Sequence, residues 1–346
     1  MREFDEALGR ITAARSPADL FGMADAEAAR IYRALARHVH PDRVPPERAA
    51  EATAAFARLS TLWSARTGSL RTAAGTYRIG AYLGRDAIAD YRAARSTRDC
   101  DGSTMDVLLK VARQPANNDL LRREAETLAQ LRSVTPGRLH AYLPDLQDSF
   151  AHRDQSTGVE REVNVFAHPP GWVSLGAILD ACPDGLPGRA VAWIWRRLLV
   201  ALGIAHRAGV VHGAVVPDHV LIEPEQHGLV LSHWCYATAG GEPVPAIVRR
   251  YRDWYAPEIA ARGRPTPGSD IYLATRVMTA LLGHRAPEPL RAFARGCLLP
   301  APAARPDDAW QLLAELDEVL GNLYGPRRFT PFALPAGVAA WPTTQP

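Results

Sequence analysis

The residues whose types and spacing suit chemistry fall into two groups. The first is His40-Pro41-Asp42. Proline fixes the backbone there, so the Asp42 carboxylate can be held rigidly for one charge-assisted hydrogen bond. Just before it, Arg30, Arg33 and Arg37 recur at spacings of three and four, which makes one basic stripe on a helix. Such a stripe attracts an acidic protein partner and mainly raises the on-rate. The second group runs from Lys110 to His233. Of 40 basic residues in a chain of 346, Lys110 is the one lysine and the rest are arginine. A lysine kept against that bias is either a chance survivor or marks a place where a guanidinium does not fit, and its position decides between the two. Imidazole is a poor magnesium ligand beside carboxylate, so His219 and His233 suit only a softer ion, and two histidines define no metal site.

These residues need elements to position them. Residues 25–39 have a helical pattern, with Ile31 and Leu35 on one apolar stripe, and Pro41 stops it. VPPE opens a second helix over about 46–65, where Phe56, Leu59, Leu62 and Trp63 again have helical spacing. The prediction is a helical hairpin with a polar His-Pro-Asp tip. TGSLRTAAG (67–75) then reads as a short linker, and a strand-rich stretch follows. Residues 190–209 form a long amphipathic helix with Trp195, Leu198, Leu199 and Leu202 on one face. The last residues, 325–346, are proline-rich and free of acids. They are expected to be either disordered or a strap anchored by Phe329, Phe332 and Trp341.

Composition narrows the function classes. An apolar fraction of 47% fills a real core, and no apolar run is long enough to span a membrane. A net charge of +3 gives no ground for nucleic-acid binding. The N-terminal stretch carries charges throughout and lacks the apolar run of a secretory signal. Cys100, Cys182, Cys235 and Cys297 lie far apart without zinc spacing, so a reduced, cytoplasmic protein is expected.

LFGM (20–23) as the end of a first helix, then AEAARIYRALARHVHPDR (26–43) and AFARLSTLW (55–63), together resemble the J-domain of DnaJ-type co-chaperones. The resemblance implies that His40, Pro41, Asp42, Arg30, Arg33 and Arg37 dock on a DnaK-type chaperone and stimulate its ATP hydrolysis.

The remainder resembles a protein kinase through an ordered set of pieces. YRIGAYLGRDAIADYRAAR (77–95) is similar to a glycine-rich loop, with Gly84 at the first glycine and Asp86 and Ala89 replacing the next two. VLLKVA places Lys110 at the strand lysine, and LLRREAETLAQL places Glu124 at its pairing glutamate. In HGAVVPDHVLI (212–222), Ala214 stands at the general-base aspartate, Val216 at the phosphate-side lysine and His219 at the magnesium-binding asparagine. In LVLSHWCYA, His233 stands at the second magnesium ligand; a shift of one residue puts Ser232 there, and neither is an acid. Glu258, Asp270 and Arg305 match structural positions, with Glu258 and Arg305 expected to pair.

The expected class is therefore α+β: an N-terminal helical-hairpin J-domain (1–68), a bilobal protein-kinase-like (pseudokinase) fold (77–324) and a proline-rich tail (325–346). The expected function is that of a co-chaperone adaptor that brings a DnaK-type ATPase to a protein client held by the kinase-like part. No catalytic residue, metal or cofactor is assigned. Residual nucleotide contact through Lys110, Glu124 and Gly84 leaves ATP binding without magnesium open. The alternatives are a divergent serine/threonine kinase and a magnesium-independent nucleotide sensor. No nucleic acid or membrane partner is expected.

Overall fold

A computed structural model describes residues 2–21, 25–154, 158–168, 171–239, 241–335 and 337–342. The chain mixes helix and sheet. It divides into two compact units, residues 1–84 with 90–111, and residues 85–89 with 112–346.

The first unit opens with four helices: α1 (Arg2–Ala13), α2 (Pro17–Phe21), α3 (Asp25–His38) and α4 (Ala49–Thr67). Short 3-10 turns at Pro41–Arg43 and Pro46–Arg48 join the last two. Phe4, Ile11, Phe21, Leu35, Val39 and Leu59 form the centre of one apolar cluster, with Ile31, Tyr32, Phe56, Leu62 and Trp63 packed on it. Tyr32 and Trp63 stack at 4.5 Å. The predicted hairpin is thus one half of a four-helix cluster.

Leu20 and Phe21 belong to a separate helix, α2, instead of ending the first; Gly22 and Met23 lie outside the described residues. Hydrogen bonding explains the break. Asp19 Oδ2 accepts the N–H groups of Arg15 and Ser16, both at 2.9 Å, and Ser16 Oγ accepts the N–H of Asp19 at 3.3 Å. This reciprocal cap starts a new helix at Pro17. The end of α1 is closed from α4: the Arg58 guanidinium donates to the carbonyls of Ile11 (2.9 Å) and Ala14 (2.7 Å). Those carbonyls are among the ones a helix leaves unpaired at its C-terminus.

Four strands complete this unit in the order β1 (Ser69–Thr72), β2 (Gly75–Arg85), β3 (Ala89–Arg98) and β4 (Thr104–Ala112). The stretch expected as a linker is therefore partly a strand. Leu70 pairs with Tyr77 across the β1–β2 hairpin, and both are buried, so alternation within SLRT sets the structure there.

The second unit begins with α5 (Asn118–Val134) and the antiparallel hairpin β5 (Leu146–Arg153) and β6 (Glu160–Ala167). Then come β7 (Val173–Ser174), α6 (Leu175–Ala181), α7 (Gly188–Arg207), β8 (Val210–Val211), β9 (Val220–Glu223), β10 (Gly228–Leu231) and β11 (Thr238–Ala239). Helices α8 (Pro257–Ala260), α9 (Pro267–Leu282), α10 (Glu288–Cys297) and α11 (Ala309–Tyr324) follow. Strand β9 lies between β10 and β7, and β8 pairs with β11. Helix α7 is more enclosed than one apolar face would make it. Val191, Ile194, Ala201 and Ala205 are buried along with Trp195, Leu198, Leu199 and Leu202, because α9, α11 and β10 all pack on it. Among the described residues no helix is long and apolar enough to cross a membrane.

Removing the Arg58 side chain uncaps α1 from a distance. Arg58→Ala is expected to cost about 2 kcal/mol, since two charge-assisted bonds to otherwise unpaired carbonyls are lost. Hydrogen exchange should quicken in residues 2–13 before it does in α4; equal protection of α1 in both proteins would contradict the assignment.

Candidate functional site

In the first unit, the His40-Pro41-Asp42 corner sits on the 3-10 turn after α3. The Asp42 N–H donates to His40 Nδ1 at 3.3 Å, and the His40 ring meets Phe56 edge-on at 5.5 Å. The imidazole is therefore held from two sides, while the Asp42 side chain is 86% exposed and available. Arg30, Arg33 and Arg37 are all exposed on α3. Arg30 approaches Glu27 at 3.4 Å, and Arg33 donates to the carbonyl of Ala29. The structure thus gathers the six residues of the predicted docking surface on one helix and its adjoining turn.

Two histidines of the second unit, His206 and His212, are built around a buried acid. Thr266 and Ser269 form a capping box that starts α9, and Asp270 follows with no exposure. Asp270 Oδ2 accepts the N–H of His212 at 2.7 Å and Oδ1 that of Gly213 at 2.8 Å, while His206 Nε2 lies 3.0 Å from Oδ2. Gly213 has φ +74°, and a Cβ there would come within 2.4 Å of Val244, so the turn requires glycine. His212 Nε2 donates to the Ser232 carbonyl at 2.8 Å. Ala214, Val215 and Val216 are fully buried.

His219 and His233 meet. Their rings stack at 4.0 Å, tilted by only 10°, and Tyr236 stacks on His219 at 5.3 Å. His219 Nδ1 donates to the Ala214 carbonyl at 2.8 Å. His233 has φ +64°, a left-handed conformation uncommon for a side chain of this size. Its Nδ1 shares a hydrogen bond with Ser232 Oγ (2.8 Å) and its Nε2 donates to Asp86 Oδ2 (2.9 Å). The other oxygen of Asp86 is also engaged: Oδ1 accepts the N–H groups of Ile88 (2.8 Å) and Ala89 (2.7 Å). The Asp86 N–H closes the turn on the Ala89 carbonyl at 3.0 Å.

This geometry limits the chemistry. Parallel rings point their in-plane nitrogen lone pairs side by side, so His219 and His233 do not converge on a metal ion. The amides of Ile88 and Ala89, which a phosphate-binding loop would offer to an anion, are satisfied by Asp86. Ala214 and Val216 have no group able to take or supply a proton. Asp86 and Ser232 were visible in the sequence as residues, but their bonds to His233 and His219 were not, nor was the ring of Tyr236 on His219. An acid where the loop pattern wants glycine was the signal for the first.

The remaining predicted residues are placed as follows. Lys110 is buried on β4 of the first unit, and Gly84 is buried on β2. Glu124 is buried on α5 of the second unit, where Asn164 Nδ2 donates to its Oε2 at 3.0 Å. Glu258 and Arg305 come together in a bidentate pair at 2.6 and 3.0 Å. Ser269 adds a bond to Glu258, and Arg305 also reaches the carbonyls of Leu299 and Pro300. Burial pushes the Glu258 carboxyl up, but the bonds from Arg305 and Ser269 outweigh it and hold the group below its ordinary range.

The chain matches no family model and no curated protein.

Burial pushes His212 down to about 4. It holds His219 well below the ordinary histidine value, with His233 and His212 adding to the effect. Both therefore stay neutral in the fold while the unfolded chain takes up protons below about pH 6.5. More protons on the unfolded state means that stability rises with pH in this window and is lost as pH falls from 6.5 towards 4. His212 alone should account for about 3 kcal/mol of that loss. Melting temperature measured from pH 7 to pH 4 should fall, and His219→Asn should flatten the slope; an unchanged slope in that variant would remove His219 from the account.

Proposed function

We propose that this protein is a J-domain pseudokinase, a co-chaperone adaptor rather than a phosphotransferase. Its N-terminal helices would recruit a DnaK-type ATPase, and its kinase-like portion would hold a protein client or regulatory partner. The observation that carries the reading is the pairing of Asp86 with His233 stacked on His219. In this reading, the phosphate loop and both magnesium positions are occupied by the chain's own groups. Loss of a general base alone removes roughly two to four decades of rate, and an absent divalent cation leaves phosphate charge uncompensated. Three exposed arginines beside a rigid, exposed Asp42 support the chaperone half. Their charge suits an acidic groove, and the turn presents the aspartate at little entropic cost.

The test has two arms. The wild-type chain should stimulate ATP hydrolysis by the DnaK-type chaperone of its own organism, and His40→Gln should abolish stimulation with the melting temperature preserved. No stimulation by the wild type would refute the chaperone half. In the second arm, ATP should leave the melting temperature unchanged with magnesium or with chelator. Nucleotide binding at a hundredfold excess over Kd would add about 2.7 kcal/mol and be visible. A shift that survives chelation would favour a nucleotide sensor. A magnesium-dependent shift, with transfer abolished by Lys110→Ala, would establish a kinase.

A further inference from the structure

The described residues after Tyr324 belong to the second unit although they form neither helix nor strand. Their contacts are aromatic and concentrated. His227, at φ +57° in the turn between β9 and β10, is stacked on Trp193 at 4.2 Å and 4°. Phe329 lies against His227 with ring centroids 4.4 Å apart and a tilt of 33°, and Phe332 meets Trp193 edge-on at 6.1 Å. Further along, the Trp341 N–H donates to the Trp172 carbonyl at 2.8 Å. Residues 329–332 read Phe-Thr-Pro-Phe, and proline favours the extended form that such segments take in aromatic grooves.

Two features separate this from ordinary packing of a terminus. Phe329 is 61% exposed, so the ring that covers His227 is itself mostly in solvent. Beneath it, Trp193 and His227 are each only 8% exposed, yet Trp193 Nε1 and His227 Nε2 have no hydrogen-bond partner among the described residues. Burial holds His227 below the ordinary histidine range against a hydrogen bond to the Thr330 backbone, and in the tautomer that carries its proton on Nδ1 the Nε2 atom presents a free lone pair. The tail bonds the His227 ring through the Thr330 backbone but leaves Trp193 Nε1 and His227 Nε2 unpaired among the described residues. A backbone amide has the complementary pair: a carbonyl for Trp193 and an N–H for His227.

We propose that Trp193 and His227 form a recognition groove for an extended Phe-x-Pro-Phe segment of a protein partner, occupied in cis by residues 329–332. A partner segment able to pair also with Trp193 Nε1 and His227 Nε2 would displace the tail, which competes through its two phenylalanine contacts, its Thr330 bond to His227 and its tether. The partner's role as client rests on the adaptor reading; the groove itself does not.

The probe is a fluorescent peptide of residues 325–337 added to the full chain. Tethering gives the resident tail an effective concentration near the millimolar range. The peptide should therefore bind a Phe329→Ser/Phe332→Ser chain at least about tenfold more tightly than wild type. Adding Trp193→Ala to that chain should abolish binding. Equal binding to the double variant and wild type, or none to a double variant that still melts cooperatively, would overturn the groove. If the double variant does not fold, a protease site inserted between Tyr324 and Gly325 lets the tail be cut after folding. The labelled peptide should then replace it, and failure to do so would equally overturn the proposal. Concentration-dependent dimers of the wild-type chain that the peptide dissolves would assign the groove to tail exchange between copies instead of a partner. Loss of chaperone stimulation in the His40→Gln chain bears on the adaptor reading and leaves this result untouched.

Discussion

One buried carboxylate organises the second unit. Asp270 has no access to water, and a carboxyl group in such a place is tolerated only when its lone pairs are met. They are met by the amides of His212 and Gly213 and by the ring of His206. This fixes the start of the 212–219 loop, and the His212 ring then fixes the Ser232 carbonyl. Ser232 Oγ in turn donates to the His219 carbonyl at 2.9 Å, which joins the two segments that carry the stacked rings. The arrangement of His219 and His233 is therefore a consequence of a structural acid, set without reference to any ligand.

Polar groups that could serve a substrate are turned inward here. Asp86 is the plainest case. A carboxylate in a tight turn normally caps one or two local amides, and Asp86 does so. Its second oxygen is then free to reach His233, and that bond ties the turn to the histidine stack. A loop fastened in this way loses both the open amides and the mobility that anion binding needs. The His-Pro-Asp corner is arranged in the opposite sense: His40 is held by Phe56 and the local backbone, and Asp42 is left outward. The molecule spends its exposed chemistry on α3 and its turn, and closes the other centre on itself.

Local patterning made much of this legible. The helical period announced α3 and α4, Pro41 marked the turn between them, and the spacing of apolar residues announced α7. What escaped depends on partners far apart in sequence. The break between α1 and α2 is secured by an arginine 44 residues beyond Ala14. The role of Asp86 requires a histidine 147 residues away. Alternation in Ser69–Thr72 was too short to register as a strand, although Leu70 is buried by its pairing with Tyr77. The anchors of the tail were visible as aromatics among prolines, but the imidazole beneath Phe329 was not, because nothing near His227 in the sequence signals a stack.

The Glu258–Arg305 pair needs no catalytic explanation. The Arg305 side chain has no exposure and that of Glu258 12%, and they exchange two hydrogen bonds. Such a pair adds little net stability relative to well-packed apolar residues, because desolvation offsets most of the attraction. Removing one member is another matter: the remaining charge stays buried without its partner, at about 3–5 kcal/mol. Arg305 also closes the carbonyls of Leu299 and Pro300, so its loss would open the segment that leads into α11. Single substitutions at either position are therefore disfavoured whether or not the chain performs chemistry. A motif of this kind reports the packing of α8 and α9 against the segment before α11.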